Sequence, residues 1–298
     1  MIRRLLPVLS AATSPEKVRE AATAGALELL SAPAFSRFVG RFAQARVPAP
    51  LLQAAIRLYI QQYGVDTSEI AEPLDSFETF DAFFTRKLKP GIHTVDPDPA
   101  VAVSPVDGRV LSFGRVADGR IDQVKGRSYA LDELLQSRLD AEQFKDGWYV
   151  TIYLSPRDYH RIHSPSDGRI VRFRYVPGRL YPVNALGVNH VEGLFAVNER
   201  LITYVDGPLG AFAVCKVGAT NVGMISASYH SVRTNTGRRT GFDESLPRRG
   251  IPVARGDELG MFHLGSTVVL VSERPDVELL PLSRDDAVRM GQRLFIRR

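Results

Sequence analysis

Hydrophobic and polar positions change their period once along this chain. From about Pro15 to Leu88 the spacing is helical: Leu52, Ala55, Ile56, Tyr59, Ile60 and Tyr63 recur three and four residues apart as one apolar stripe. A second stripe runs through Phe35, Phe38, Val39 and Phe42, with Arg37, Arg41 and Arg46 nearby. Two readings stay open for these stripes. They pack on the rest of the protein, or they lie in a lipid interface with aromatic rings inserted and arginines at the headgroups.

After Pro90 the period shortens. Gly, Pro and Asp punctuate short runs rich in Val, Ile, Tyr and Phe, which predicts a mostly β body. Tyr149–Leu154 and Ser266–Val271 are the clearest strands, and Thr94–Ala100, with two Asp-Pro steps, is predicted to connect the two regions. A faint echo links Ser104-Pro105-Val106-Asp107-Gly108-Arg109-Val110 to Ser164-Pro165-Ser166-Asp167-Gly168-Arg169-Ile170. Each copy predicts a turn made by Pro and Asp-Gly that leads into a strand. The expected fold is therefore α+β: a helical N-terminal region (1–90), then a mostly antiparallel β body (91–298) with two related hairpin-like halves.

Composition narrows the classes. With 298 residues, 44% hydrophobic and 24% charged, the chain is an ordinary folded protein and not a disordered one. Lys and Arg exceed Asp and Glu by 38 to 33, an excess too small to choose between lipid, nucleic acid and no partner. Arg238, Arg239, Arg248, Arg249, Arg297 and Arg298 suit either an anionic lipid or ordinary solvated surface. No run of roughly eighteen apolar residues is present, which argues against a spanning helix. The start, Met1 to Leu9, has a short apolar run broken by Pro7 and lacks a secretory cleavage pattern. Cys215 is the single cysteine, so no intrachain disulfide can form and a reducing compartment is expected. Its alternating flank predicts a buried structural thiol in a strand.

Three clusters carry candidate chemistry. Pro105-Val106-Asp107-Gly108 is a turn in the bland reading. Ser155 to Pro165 packs His160 and His163 with several charges directly after an apolar strand. No Cys or third ligand cluster completes a zinc set there, whereas imidazoles suit acid–base work near neutral pH. Leu264-Gly265-Ser266-Thr267 is either a tight turn or a self-reactive site. Glycine leaves its carbonyl unshielded for attack by the next serine hydroxyl, provided a base and an orienting carboxylate are near. His163 and Asp107 are candidates for those two roles.

Together these clusters resemble the phosphatidylserine decarboxylase family. The matching elements are Pro105–Gly108, Leu154–His163 and Leu264–Thr267, supported by Phe77–Pro90, Asn198-Glu199-Arg200 and Val217–Gly223. The likeness runs from about residue 50 onward; the first fifty residues match only in helical character. It implies that Ser266 attacks the Gly265 carbonyl, with His163 as base and Asp107 orienting it. The chain is then cut between Gly265 and Ser266, and Ser266 becomes a covalent pyruvoyl group, the pyruvate-type cofactor of the family. It further implies a Schiff base with the serine headgroup of phosphatidylserine, loss of carbon dioxide with His160 assisting that step or protonating the resulting carbanion, and phosphatidylethanolamine as product. The implied partners are an anionic membrane surface, the two self-cleavage fragments with each other, and a second copy in a homodimer. No nucleic acid and no metal enter. The implied location is peripheral, on the cytoplasmic face of a cell membrane.

Two rival readings accompany it. A pyruvoyl enzyme acting on a soluble amino acid shares the same motifs. A biotinyl or lipoyl carrier shares the Pro-x-Asp-Gly turns but needs a lysine at a hairpin tip, and no lysine follows Lys216.

Overall fold

A computed structural model describes residues 31–123, 126–220, 224–247 and 249–298. Expectations placed on residues 1–30, on Asn221-Val222-Gly223, on Arg248 and on the Phe35 side chain lie outside it. Among the described residues three α-helices come first: α1 (Pro33–Gln44), α2 (Ala49–Tyr63) and α3 (Phe80–Phe84). Proline at the first turn of α1 and of α2 suits the fixed φ of a helix start, and left-handed Gly64 (φ 68°) ends α2.

The two apolar stripes separate in the fold. Leu52 and Ile56 of α2 are buried against Val65, Ile70 and Phe83 in a small core of their own. Phe38 and Phe42 of α1 stay exposed, as do Leu51 and Leu58 of α2. No described helix is long and apolar enough to cross a membrane.

The body is antiparallel, as the alternating pattern predicts. Its strands begin with β1 (Val101–Val103), β2 (Gly108–Arg115), β3 (Trp148–Leu154), β4 (Arg161–His163) and β5 (Gly168–Val176). They continue with β6 (Arg200–Gly207), β7 (Gly210–Val217), β8 (Met224–Ala227), β9 (Phe242–Ser245) and β10 (Ile251–Val253). The last are β11 (Glu258–His263), β12 (Ser266–Ser272), β13 (Ala287–Val288) and β14 (Arg293–Arg297). Nine strands form one sheet in the order β9-β5-β6-β7-β12-β3-β2-β13, with β10 also on β5. A three-stranded sheet, β8-β11-β4, stands beside it.

The large sheet is apolar on both faces. Along β12, Val269 and Val271 enter one core, while Val268 and Leu270 enter the other. Each such side chain contributes roughly 1.5–3 kcal/mol on burial, so β12 is pinned in register between β7 and β3. Cys215 of β7 is fully buried, and burial pushes its thiol up to about 12, which leaves it unreactive.

The faint repeat is a real structural one. β1 and β4 occupy equivalent places before the two Ser-Pro turns, and β2 and β5 equivalent places after them. The Val103 N–H donates to the Pro165 carbonyl (2.9 Å) and the His163 N–H to the Pro105 carbonyl (2.8 Å), so the turns clasp each other. Gly108 faces Val288 of β13 just as Gly168 faces Val253 of β10. The Ser104 hydroxyl donates to the Val106 carbonyl (2.7 Å) and that of Ser164 to the Ser166 carbonyl (2.8 Å). Asp107 accepts the Met290 N–H (2.7 Å), and Asp167 accepts the Arg255 N–H (3.0 Å).

Candidate active site

The Leu264-Gly265 step joins strands of two different sheets. The chain must turn sharply there, and both residues sit at positive φ (84° and 35°). For leucine this region is strained, at a cost on the order of 1–3 kcal/mol, and persists only where the surroundings enforce it. Those surroundings are visible. His263 bonds the Asp81 carboxylate of α3 through Nδ1 (2.8 Å) and the Ser226 hydroxyl of β8 through Nε2 (2.9 Å). On the other side, Ser266 is already paired with Leu154 in the ladder.

Ser266 is fully buried, and its hydroxyl has no hydrogen-bond partner among the described residues. A buried hydroxyl normally finds one; Ser112, Thr151 and Thr267 share this condition, and Ser266 differs from them in following the left-handed Leu264-Gly265 step. Leu264, Gly265 and Ser266 line a cavity of about 1030 Å³ whose other walls include Phe42, Leu51, Tyr59 and Phe84. The predicted reactive turn and the exposed apolar edge of the helices therefore share one cavity.

His160 is also fully buried. Its Nδ1–H donates to the Asp158 carbonyl (2.8 Å), which leaves a lone pair on Nε2 that has no partner among the described residues. Burial, reinforced by the nearby Arg86 charge, pushes its pKa down to about 3, so the ring is neutral at any physiological pH. Phe84 packs on the ring with centroids 4.0 Å apart. Arg86 holds the same loop, donating from Nη2 to the carbonyls of Arg157 (2.7 Å) and Asp158 (3.3 Å).

The other two predicted residues lie on adjacent turns. His163 donates its Nδ1–H to the Gly256 carbonyl (2.7 Å), and its Nε2 faces the Tyr159 hydroxyl at 3.2 Å. Burial lowers its pKa and keeps it neutral, the form a base needs. Asp107 pairs with His93, Nε2 to Oδ1 at 2.7 Å, where sequence reasoning expected His163. Among the described residues no hydrogen bond joins Asp107 to His163, or His163 to Ser266. In the intact chain a backbone carbonyl fixes the tautomer of His163, and a second imidazole occupies the carboxylate. Among the described residues no three His, Cys, Asp or Glu side chains converge to hold a metal ion.

Known proteins carry the same arrangement of sequence. The profile named "Phosphatidylserine decarboxylase" matches residues 80–296. The chain belongs to this family. Its relatives include phosphatidylserine decarboxylase proenzymes of Myxococcus xanthus (45% identical, 91% of this chain and 96% of the relative) and Anaeromyxobacter sp. (45%, 90% and 96%). Another, from Brevibacillus brevis, is 41% identical over 91% of this chain and 96% of its own. The family match begins at Phe80, the first residue of α3, and so takes in Asp81, Phe84 and Arg86 beside the predicted histidines.

Sequence reasoning missed His93, Tyr159, Arg86 and the Asp81–His263 contact as parts of this site. Arg86 and Asp81 lie in a stretch that carried the resemblance but was assigned no chemistry. Nothing in the spacing of His93 marks it, because it sits in a connection without periodicity.

Proposed function

We propose that this chain is a proenzyme that cuts itself between Gly265 and Ser266 and then decarboxylates phosphatidylserine to phosphatidylethanolamine at a membrane surface. One observation carries the reading: a buried Ser266 hydroxyl, without a partner among the described residues, follows a left-handed Leu264-Gly265 step at the wall of a large apolar cavity. Ser266 Oγ bonds the Gly265 carbonyl carbon as the Gly265–Ser266 peptide bond breaks, giving an ester and a free amine. His163, neutral and with Nε2 held only by a 3.2 Å contact to Tyr159, is the base for the hydroxyl proton. Elimination then releases Gly265 as a carboxylate, and water replaces the nitrogen, which leaves as ammonia. A pyruvoyl group fits the place of Ser266, since losing the hydroxyl breaks no hydrogen bond among the described residues. Such a ketone supplies the electron sink for decarboxylation of an amine-bearing substrate.

After the cut the chain's own residues have separate tasks. His160, fully buried and neutral, with an Nε2 that bonds nothing among the described residues, can hold or move a proton. His163 has spent its role as base. The cavity walls and the exposed edge of α1 and α2 speak for a substrate with acyl chains over a soluble amino acid. Phe38 and Phe42, 60% and 64% exposed, stand beside the exposed Arg41 as an anionic lipid surface would require, while half-buried Arg37 donates to the Asn235 side chain (3.2 Å).

Intact mass of the purified protein tests the cut. Two fragments should meet at Gly265 and Ser266, the shorter lighter by one ammonia, while Ser266→Ala stays whole. A single uncut wild-type chain would end the proposal. The matured protein should then convert phosphatidylserine in anionic vesicles and leave free serine untouched. Turnover of free serine with none of the lipid would favour the soluble-substrate reading.

A further inference from the structure

The internal repeat supplies a control for Asp107. Asp107 and Asp167 occupy the same position of the same turn, and each caps the loop that returns to it through one backbone N–H. Their surroundings differ. The Asp167 side chain is 55% exposed and has only a distant arginine (3.9 Å). The Asp107 side chain is 11% exposed and pairs with His93, itself 7% exposed. A carboxylate that only caps a loop does not need burial, and a buried one needs a charge-assisted donor to remain ionised.

We propose that His93 is the positioning residue for Asp107 in self-cleavage. This rests on the reading that Asp107 serves that reaction. The geometry gives His93 two means of action. First, His93 Nε2–H and the Met290 N–H both donate to Oδ1, which fixes the carboxylate and leaves Oδ2 without a hydrogen bond among the described residues. Second, the Tyr159 ring lies between two imidazoles, 5.2 Å from His93 and 5.6 Å from His163, with its hydroxyl on His163 Nε2. The order Asp107, His93, Tyr159, His163 is thus one packed row, buried from end to end. His93 fixes the carboxylate at one end of the row and supports the ring that holds the base at the other. The segment carrying it is itself anchored, since the Asp96 N–H donates to the carbonyl of Gly291, next to Met290 (3.0 Å).

The test follows self-cleavage in time after cell-free synthesis, by the appearance of the two fragments. His93→Leu removes the donor and should slow cleavage by about tenfold to a hundredfold, the kinetic weight of one hydrogen bond to a charged group. His93→Gln places an N–H at nearly the same point and should restore the rate to within about threefold. The same changes in an uncut Ser266→Ala background report folding through the melting temperature. Should His93→Leu lower it, His93→Gln against His93→Asn gives the same contrast, because the shorter amide does not reach Asp107. Cleavage of His93→Leu at the wild-type rate, or equal slowing by leucine and glutamine, overturns the proposal. Asp107→Asn in the same series separates the two levels. If it is slow while His93→Leu is normal, only the role of His93 falls; if Asp107→Asn cleaves normally, the role of Asp107 itself falls.

Discussion

The two Ser-Pro-x-Asp-Gly turns of this protein share a backbone and differ in chemistry. Both clasp each other through reciprocal N–H···O=C bonds, both start a strand at glycine, and both cap a returning loop with aspartate. At the position that enters the turn, one copy has Val103 and the other His163. At the aspartate, one copy has a buried carboxylate on an imidazole and the other an exposed one. The candidate chemistry lies where the copies depart from each other. What they share holds the fold, and what they do not share is free to act.

The largest predicted effect breaks this comparison if it fails. Asp107→Asn should slow self-cleavage by about a hundredfold or more, the usual weight of a group that supports general base catalysis. Asp167→Asn should leave the rate within about twofold, since one exposed cap bond is worth only about 1 kcal/mol to the fold. Fragment formation over time in the two variants checks both. Equal losses would mean that the aspartates serve the backbone alone.

The next effect should be the same in both copies. An added Cβ at Gly108 would stand 2.4 Å from the Tyr153 carbonyl oxygen, and one at Gly168 would stand 2.2 Å from that of Asp206. Neither backbone can yield without shifting a strand of the large sheet. Gly108→Ala and Gly168→Ala should each destabilise the protein by about 3 kcal/mol in urea unfolding. A large cost at one glycine and none at the other would show that the repeat is not structurally equivalent.

Much of this architecture is legible in the sequence, for physical reasons that also mark its limits. The change from helical to alternating period locates the helices and the body, because each element must hide one face. Tyr149–Leu154 and Ser266–Val271 read as strands because they are buried on both sides of the sheet. The Asp-Gly echo shows both turns, yet not β10 and β13, which complete them from far along the chain and share only a valine facing the turn glycine and a glycine three residues on. The Asp81–His263 and Asp107–His93 contacts are equally hidden. The first spans 182 positions, and the second starts from a connection that no periodicity marks. Leu264 would pass in any sequence as an ordinary leucine, since its positive φ is imposed by anchors on two sheets.

The smallest effect sharpens the comparison through acid. The strand entering the first turn is Val101–Val103, with nothing to titrate, whereas the approach to the second carries His160 and His163, both buried and neutral. The folded pKa of His160, about 3, lies below its ordinary 6.5, so between those values the unfolded chain binds a proton that the native chain refuses. Stability from this group is therefore fully present above about 6.5 and drains away as pH falls toward about 3, and His163, lowered for the same reason, adds with the same sign. Between pH 7 and pH 5 the uncut Ser266→Ala chain should lose about 2 kcal/mol through His160 alone, and His160→Gln should flatten that slope whatever it does to absolute stability. Hydrogen exchange at pH 5 then asks where the loss is felt. If the asymmetry of the two turns governs it, the amides of β4 open before those of β1, although the two strands occupy equivalent places in the same repeat. Opening of both together would mean that the clasp between the turns makes them one cooperative unit, and that the difference between them is confined to chemistry.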